Sequence, residues 1–129
     1  MTRHVLAVDL KDDPGIVEAY KEHHRRVWPE VLRSLRRAGI ADMQIYLLGR
    51  RLVMLVDMSD GLDVRSAFAQ HVASDPRVAE WEALMKSMQQ PVPGSAADEW
   101  WAVMQPVFDL HGDRSAAEAD TRPGSARRA

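Results

Sequence analysis

The chain has 129 residues, with 17 Lys plus Arg against 19 Asp plus Glu and a formal net charge of −2. That length suits one hydrophobic core, and the near balance of charge gives no electrostatic ground for nucleic acid or a membrane surface as partner. Cysteine is absent, which excludes a disulfide framework, a thiolate nucleophile and a Cys-based zinc site and agrees with a reducing, cytoplasmic setting.

The first apolar run, Val5 to Leu10, is short and contains Asp9, so it predicts a strand and neither a signal peptide nor a membrane span. Asp13-Pro14 then has the chemistry of a helix start, because Asp caps free N–H groups and Pro at the first position loses no hydrogen bond. Apolar residues at Ile16, Val17, Tyr20, Val27, Val31, Leu32 and Leu35 keep an α-helical period, predicting a long helix from Pro14 to Ala38. Pro29 should break it near Trp28, and Gly39 should end it.

Met43 to Leu48 and Leu52 to Met58 read as an antiparallel hairpin around Gly49-Arg50-Arg51. The second of these strands is apolar on both faces, which predicts a central position with a helix layer on one side and a further cover, a second copy of the chain, on the other. Val64 to Val72 forms a short helix. Asp75-Pro76 starts another, with Val78, Trp81, Leu84, Met85 and Met88 at helical spacing up to Pro91. Trp100 to Leu110 is the last predicted strand, with Pro106 pointing to an edge or a bulge. The remainder has no large apolar residue, so the expected organisation is one α+β domain over 1–110 and a disordered tail over 111–129. Strand, helix, two strands, helices and strand in that order give the ferredoxin-like split βαβ arrangement, and with its second copy a dimeric α+β barrel.

Chemistry concentrates in Tyr20-Lys21-Glu22-His23-His24-Arg25-Arg26-Val27-Trp28-Pro29-Glu30. On a helix, Tyr20, His24, Val27, Trp28 and Val31 share one stripe. His24 titrates near neutrality and has a phenol one turn away, which suits a general acid or base; the plain alternative is a satisfied histidine at a helix-sheet interface. Adjacent His23 and His24 diverge on a helix, and with no HxxxH or HExxH pair no metal site is expected. Tyr20, Trp28, Tyr46, Trp81, Trp100 and Trp101 suit either a core or a sugar pocket, in which ring faces stack on C–H groups. Glu82, Gln89 and Gln90 beside Trp81 add the polar groups that a sugar needs. The sequence contains no glycine-rich phosphate loop and no G-x-S-x-G elbow, which argues against nucleotide binding and acyl transfer.

The spacing Tyr20-x-x-x-His24-x-x-x-Trp28-Pro29-Glu30, then Gly39 and Ile45-Tyr46-Leu47, resembles the L-rhamnose mutarotase family. So do Asp75-Pro76-x-Val78-x-x-Trp81-x-x-Leu84-Met85, Gln89-Gln90-Pro91 and Val107-Phe108-x-Leu110. The resemblance covers residues 3 to 110. It implies a cofactor-free dimeric α+β barrel that interconverts the α and β anomers of a 6-deoxy-hexose, with His24 as the acid-base group. The family's sugar-contacting tyrosine falls on Tyr20, and Trp28, Met43, Tyr46, Trp81 and Glu82 complete the expected substrate contacts. Two departures concern the substrate: Met43 stands where rhamnose-specific members carry a tyrosine, and Trp81-Glu82 stands in place of a Trp-Trp pair. The Trp-Glu form and Gln-Gln-Pro resemble the branch associated with L-fucose. A cofactor-independent monooxygenase and a non-catalytic sugar-binding module are the competing readings for such a fold.

Overall fold

The computed structural model describes residues 1–112. Its elements, in chain order, are β1 (Thr2–Leu10), α1 (Pro14–His23), α2 (Pro29–Arg37), β2 (Ile40–Leu48), β3 (Arg51–Met58), α3 (Val64–Ala73), α4 (Pro76–Met88), β4 (Gln89–Gln90) and β5 (Ala102–Val103). The expected tail lies outside the described residues from 113 onward.

The sheet is antiparallel, in the order β2-β3-β1-β4, with β5 also on β1. This is the expected ferredoxin-like α+β arrangement. Hydrophobic patterning explains it, because β3 buries Leu52, Met54, Val56 and Met58 on one side while Val53, Leu55 and Asp57 alternate on the other. The hairpin pairs Leu48 with Arg51, leaving Gly49 and Arg50 as a two-residue turn. Gly49 has φ +63° at the first turn position, which favours a residue without Cβ.

The long helix expected from Pro14 to Ala38, broken at Pro29, is two helices: the chain restarts at Pro29 as expected, and α1 already ends at His23. A helix running through Pro29 would press the proline ring on the carbonyl of Arg25, so α1 stops with His24 as its C-cap. The residue before a proline is pushed to extended backbone. Trp28 accordingly has φ −60° and ψ 136° as N-cap, and Pro29 restarts the chain as α2. Side-chain caps open the other helices: Asp13 accepts from the Gly15 N–H, Asp63 from Ser66 and Asp75 from Arg77.

The final strand is also shorter than expected. Trp100 to Leu110 pairs with β1 only at Ala102–Val103, and Val107, Phe108 and Leu110 are exposed. Pro106 has no N–H to continue the ladder. Gln89–Gln90, by contrast, pairs with Asp9 and Leu10, so β4 and β5 are two pieces along one edge of β1. Pro91 and Pro93 interrupt them, and residues 91–101 leave the sheet and return.

The helices cover one sheet face. Beneath them lie two apolar clusters, one around Val8, Leu10, Leu52, Trp81 and Met85 and one around Leu6, Met54, Val56, Val64 and Ala67. Leu35, Ile45 and Trp101 pack against both. On the other face, the register aligns Tyr46, Val53 and Ala7 in one row and Gln44, Leu55 and Val5 in the next, flanked by the ion pairs Arg51–Asp9 and Arg3–Asp57. Tyr46 and Leu48 are 58% and 86% exposed there. No helix among the described residues is long and apolar enough to cross a membrane.

Candidate active site

A cavity of about 760 Å³ opens between the sheet and the helices and is lined by members of both apolar clusters. Its polar groups include a set near the end of α1 (Tyr20, His24, Glu82 and Gln89) and a second set of Arg65, His71, Asp98 and Glu99. The α1 terminus places His24 in the first set: its backbone N–H donates to the Tyr20 carbonyl, and so does its ring Nδ1 at 2.9 Å. A carbonyl only accepts, so Nδ1 must carry the proton, and in the neutral ring Nε2 holds a free lone pair. Burial holds the His24 pKa below its ordinary value, against the raising effect of that carbonyl bond, and neighbouring His23 lowers it further.

The imidazole is clamped by rings. Tyr20 stacks on it with centroids 4.3 Å apart, and Trp81 meets it edge-on at 5.4 Å. Tyr20 is buried, and its oxygen accepts a hydrogen bond from Gln89 Nε2 at 3.2 Å. Gln89 Oε1 in turn accepts from the Trp100 indole N–H at 2.8 Å, which fixes the amide's orientation. The Tyr20 proton is therefore free to donate to another group. Burial, which outweighs the bond from Gln89, pushes the Tyr20 pKa up to about 12, so the phenol remains a donor at neutral pH. Glu82 also lines the cavity; burial raises its pKa, while Lys86, 3.8 Å away, pulls it down.

Of the residues singled out in the sequence, the cavity brings together Tyr20, His24, Met43, Trp81, Glu82, Gln89, Trp100 and Trp101, and leaves Gln90 outside. It does not include Trp28 or Tyr46. Trp28 stands behind Trp81, in edge contact at 5.2 Å, with the Arg77 guanidinium 3.9 Å from its ring centroid. Because α1 ends at His23, the helical stripe that joined Trp28 to His24 does not exist. Tyr46 lies on the face of β2 opposite Met43, Ile45 and Leu47, and its hydroxyl donates to Gln44. An aromatic count could not separate the faces; strand alternation from Met43 could. Lys86 and His71 also line the cavity and were not among the residues the sequence pointed to. Gln89 carried a usable signal, a polar residue directly after an apolar helix. Among the described residues no three His, Cys, Asp or Glu side chains converge as a metal would require.

A family model described as L-rhamnose mutarotase matches residues 3–110. An L-fucose mutarotase from Xanthomonas campestris pv. campestris is 43% identical over 85% of this chain and 89% of its own length. The fold is similar to the crystal structure of L-rhamnose mutarotase FA22100 from Formosa agariphila, with a TM-score of 0.61 at 22% identity, covering 85% of this chain and 99% of that one. Tetracenomycin F2 cyclase from Streptomyces glaucescens has a TM-score of 0.56 at 14% identity, covering 84% and 96% of the two chains. At those identities the solved structures speak for the fold alone.

Proposed function

The chain belongs to the L-rhamnose mutarotase family, and from that membership we propose that it interconverts the α and β anomers of L-fucose or L-rhamnose by acid-base ring opening and closure. The observation that carries the reading is the tautomer of His24. Its Nδ1–H is committed to the Tyr20 carbonyl, which leaves Nε2 as a base in a cavity that also holds hydroxyl, carboxyl and indole groups.

Mutarotation needs one proton removed from the anomeric hydroxyl and one delivered to the ring oxygen. His24 Nε2 takes the first. Glu82, whose burial makes it hold a proton more readily than an ordinary glutamate, supplies the second. The C1–O5 bond then breaks to give the open-chain aldehyde, C1 turns about the C1–C2 bond, and reclosure on the other face returns both protons. No atom or electron is gained or lost. The Tyr20 O–H donates to a sugar hydroxyl, Trp81 covers the apolar face of the ring, and Met43 contributes apolar surface from the sheet.

The Trp81-Glu82 pair and the 43% identical relative favour L-fucose. The functional unit is a homodimer in which two open sheet faces close on each other, with the sugar bound within each protomer. Saturation transfer between the anomeric proton signals of L-fucose and of L-rhamnose, with and without protein, tests the reading. Exchange should accelerate for at least one sugar, L-fucose more strongly; no acceleration for either would remove the proposal.

A further inference from the structure

A second histidine faces the same cavity. His71, near the end of α3, is 5% exposed and lines the wall with Phe68, Val72 and Leu35, away from the α1 terminus. Its Nδ1 lies 2.6 Å from Ser34 Oγ on α2. Ser34 Oγ lies 2.8 Å from Ser74 Oγ, and the Ser74 hydroxyl donates to the His71 carbonyl at 2.7 Å.

Counting protons fixes the direction of this network. Each serine has one hydroxyl proton, and that of Ser74 is spent on the carbonyl. If Ser34 donated to Nδ1, the two serine oxygens would face each other at 2.8 Å with no proton between them. Ser34 Oγ also lies 3.2 Å from the His71 carbonyl, so four contacts share at most three protons, and the arrangement that places a proton in each of the three shorter ones is a circuit: His71 Nδ1–H to Ser34, Ser34 O–H to Ser74, Ser74 O–H to the His71 carbonyl. The ring is then the tautomer with its lone pair on Nε2, and burial, which lowers the His71 pKa, keeps it neutral. Nε2 has no hydrogen-bond partner among the described residues, yet it is not sealed from solvent as His4 Nε2 is. Its immediate neighbours on the wall, Phe68, Val72 and Leu35, are apolar, so this oriented acceptor is matched only by a group that enters the cavity.

We propose that His71 Nε2 is a specificity-determining acceptor for a sugar hydroxyl remote from the anomeric carbon. This rests on the mutarotase reading. With C1 at His24, the far side of a 6-deoxy-hexose presents the C4 hydroxyl next to the C5 methyl. The wall around His71 matches both, with Nε2 for the O–H and Phe68, Val72 and Leu35 for the methyl. L-fucose and L-rhamnose differ in configuration at C4 as well as C2, so an acceptor fixed at this position separates them.

The test uses the full chain, with His71→Leu to remove the acceptor and keep the bulk; the Ser34–Ser74–carbonyl bonds need no imidazole. An amide spectrum checks that the variant is folded, and a variant that does not fold leaves the decision to the nitrogen signal below. Losing one hydrogen bond should raise KM for L-fucose about three- to tenfold with kcat little changed. KM for the 4-deoxy analogue of L-fucose should be the same in wild type and variant, which a merely structural role for His71 does not predict. In wild type, the His71 Nε2 nitrogen signal should be that of an unprotonated ring nitrogen and should shift on saturation with L-fucose. If bound L-fucose shifts the His24 nitrogens and leaves His71 unmoved, the proposal is overturned and the mutarotase reading stands. If neither histidine responds and no anomer exchange accelerates, both fail.

Discussion

His24 shows how backbone neighbours set the tautomer of a single side chain. Ending α1 at His23 leaves the Tyr20 carbonyl within reach of the His24 ring, and that bond selects the tautomer. The consequence for pH has a definite sign. Burial lowers the folded-state pKa below the ordinary 6.5, so between the two values the unfolded chain takes up a proton that the folded one refuses. The stabilisation from His24 is complete above 6.5 and is lost as pH falls toward the lowered value; His71 acts in the same direction. Nε2 stays available as a base below 6.5, so the acid limb of the anomer-exchange rate should have its midpoint below 6.5. A midpoint above 6.5 would assign the titration to another group.

At the level of elements, Gly39 is where sequence and geometry agree most directly. It follows α2 with φ +93°, in a region that side chains resist. A Cβ there would also collide with the Leu62 side chain. Gly39→Ala should cost about 1–2 kcal/mol or more, read as a lower urea midpoint at unchanged slope. Signals of this local kind were legible in the chain: Asp-Pro helix starts, the glycine stop, the hairpin, the alternating β3. What was not legible came from competition between elements. Helical periodicity runs on through residues 24–28, although proline forbids the backbone to follow it. Apolar residues at 107, 108 and 110 suggested a strand that Pro106 deprives of its ladder. The polar network of Gln89, Trp100 and Tyr20 joins residues from α1, β4 and the returning loop, and no spacing rule links them.

At the scale of the whole molecule, the sheet has one face filled by helices and one presenting Tyr46, Leu48, Val53 and Leu55. A strand as apolar on both sides as β3 is normally covered on both. In the proposed dimer a second copy supplies a self-complementary cover, with apolar rows at the centre and the Arg3–Asp57 and Arg51–Asp9 pairs at the flanks. The protein should sediment as a dimer, and a Leu48→Asp, Val53→Asp double variant as a folded monomer. A monomeric wild type at micromolar concentration would contradict the barrel. The ferredoxin-like order was legible at this scale because it follows from the sequence of element types; the extent of the cavity was not, since its lining draws residues from both apolar clusters, which no local spacing joins.

The central claim is that His24 exchanges the proton at the anomeric centre. Saturation transfer on L-fucose with equal concentrations of wild type and His24→Ala, both checked for folded amide spectra, measures that step alone. A positioned acid-base group contributes about 10²–10⁴-fold, so the variant should fall to or near the uncatalysed exchange rate while its dimer sediments unchanged. Exchange within a fewfold of wild type would contradict the account and remove His24 from the mechanism.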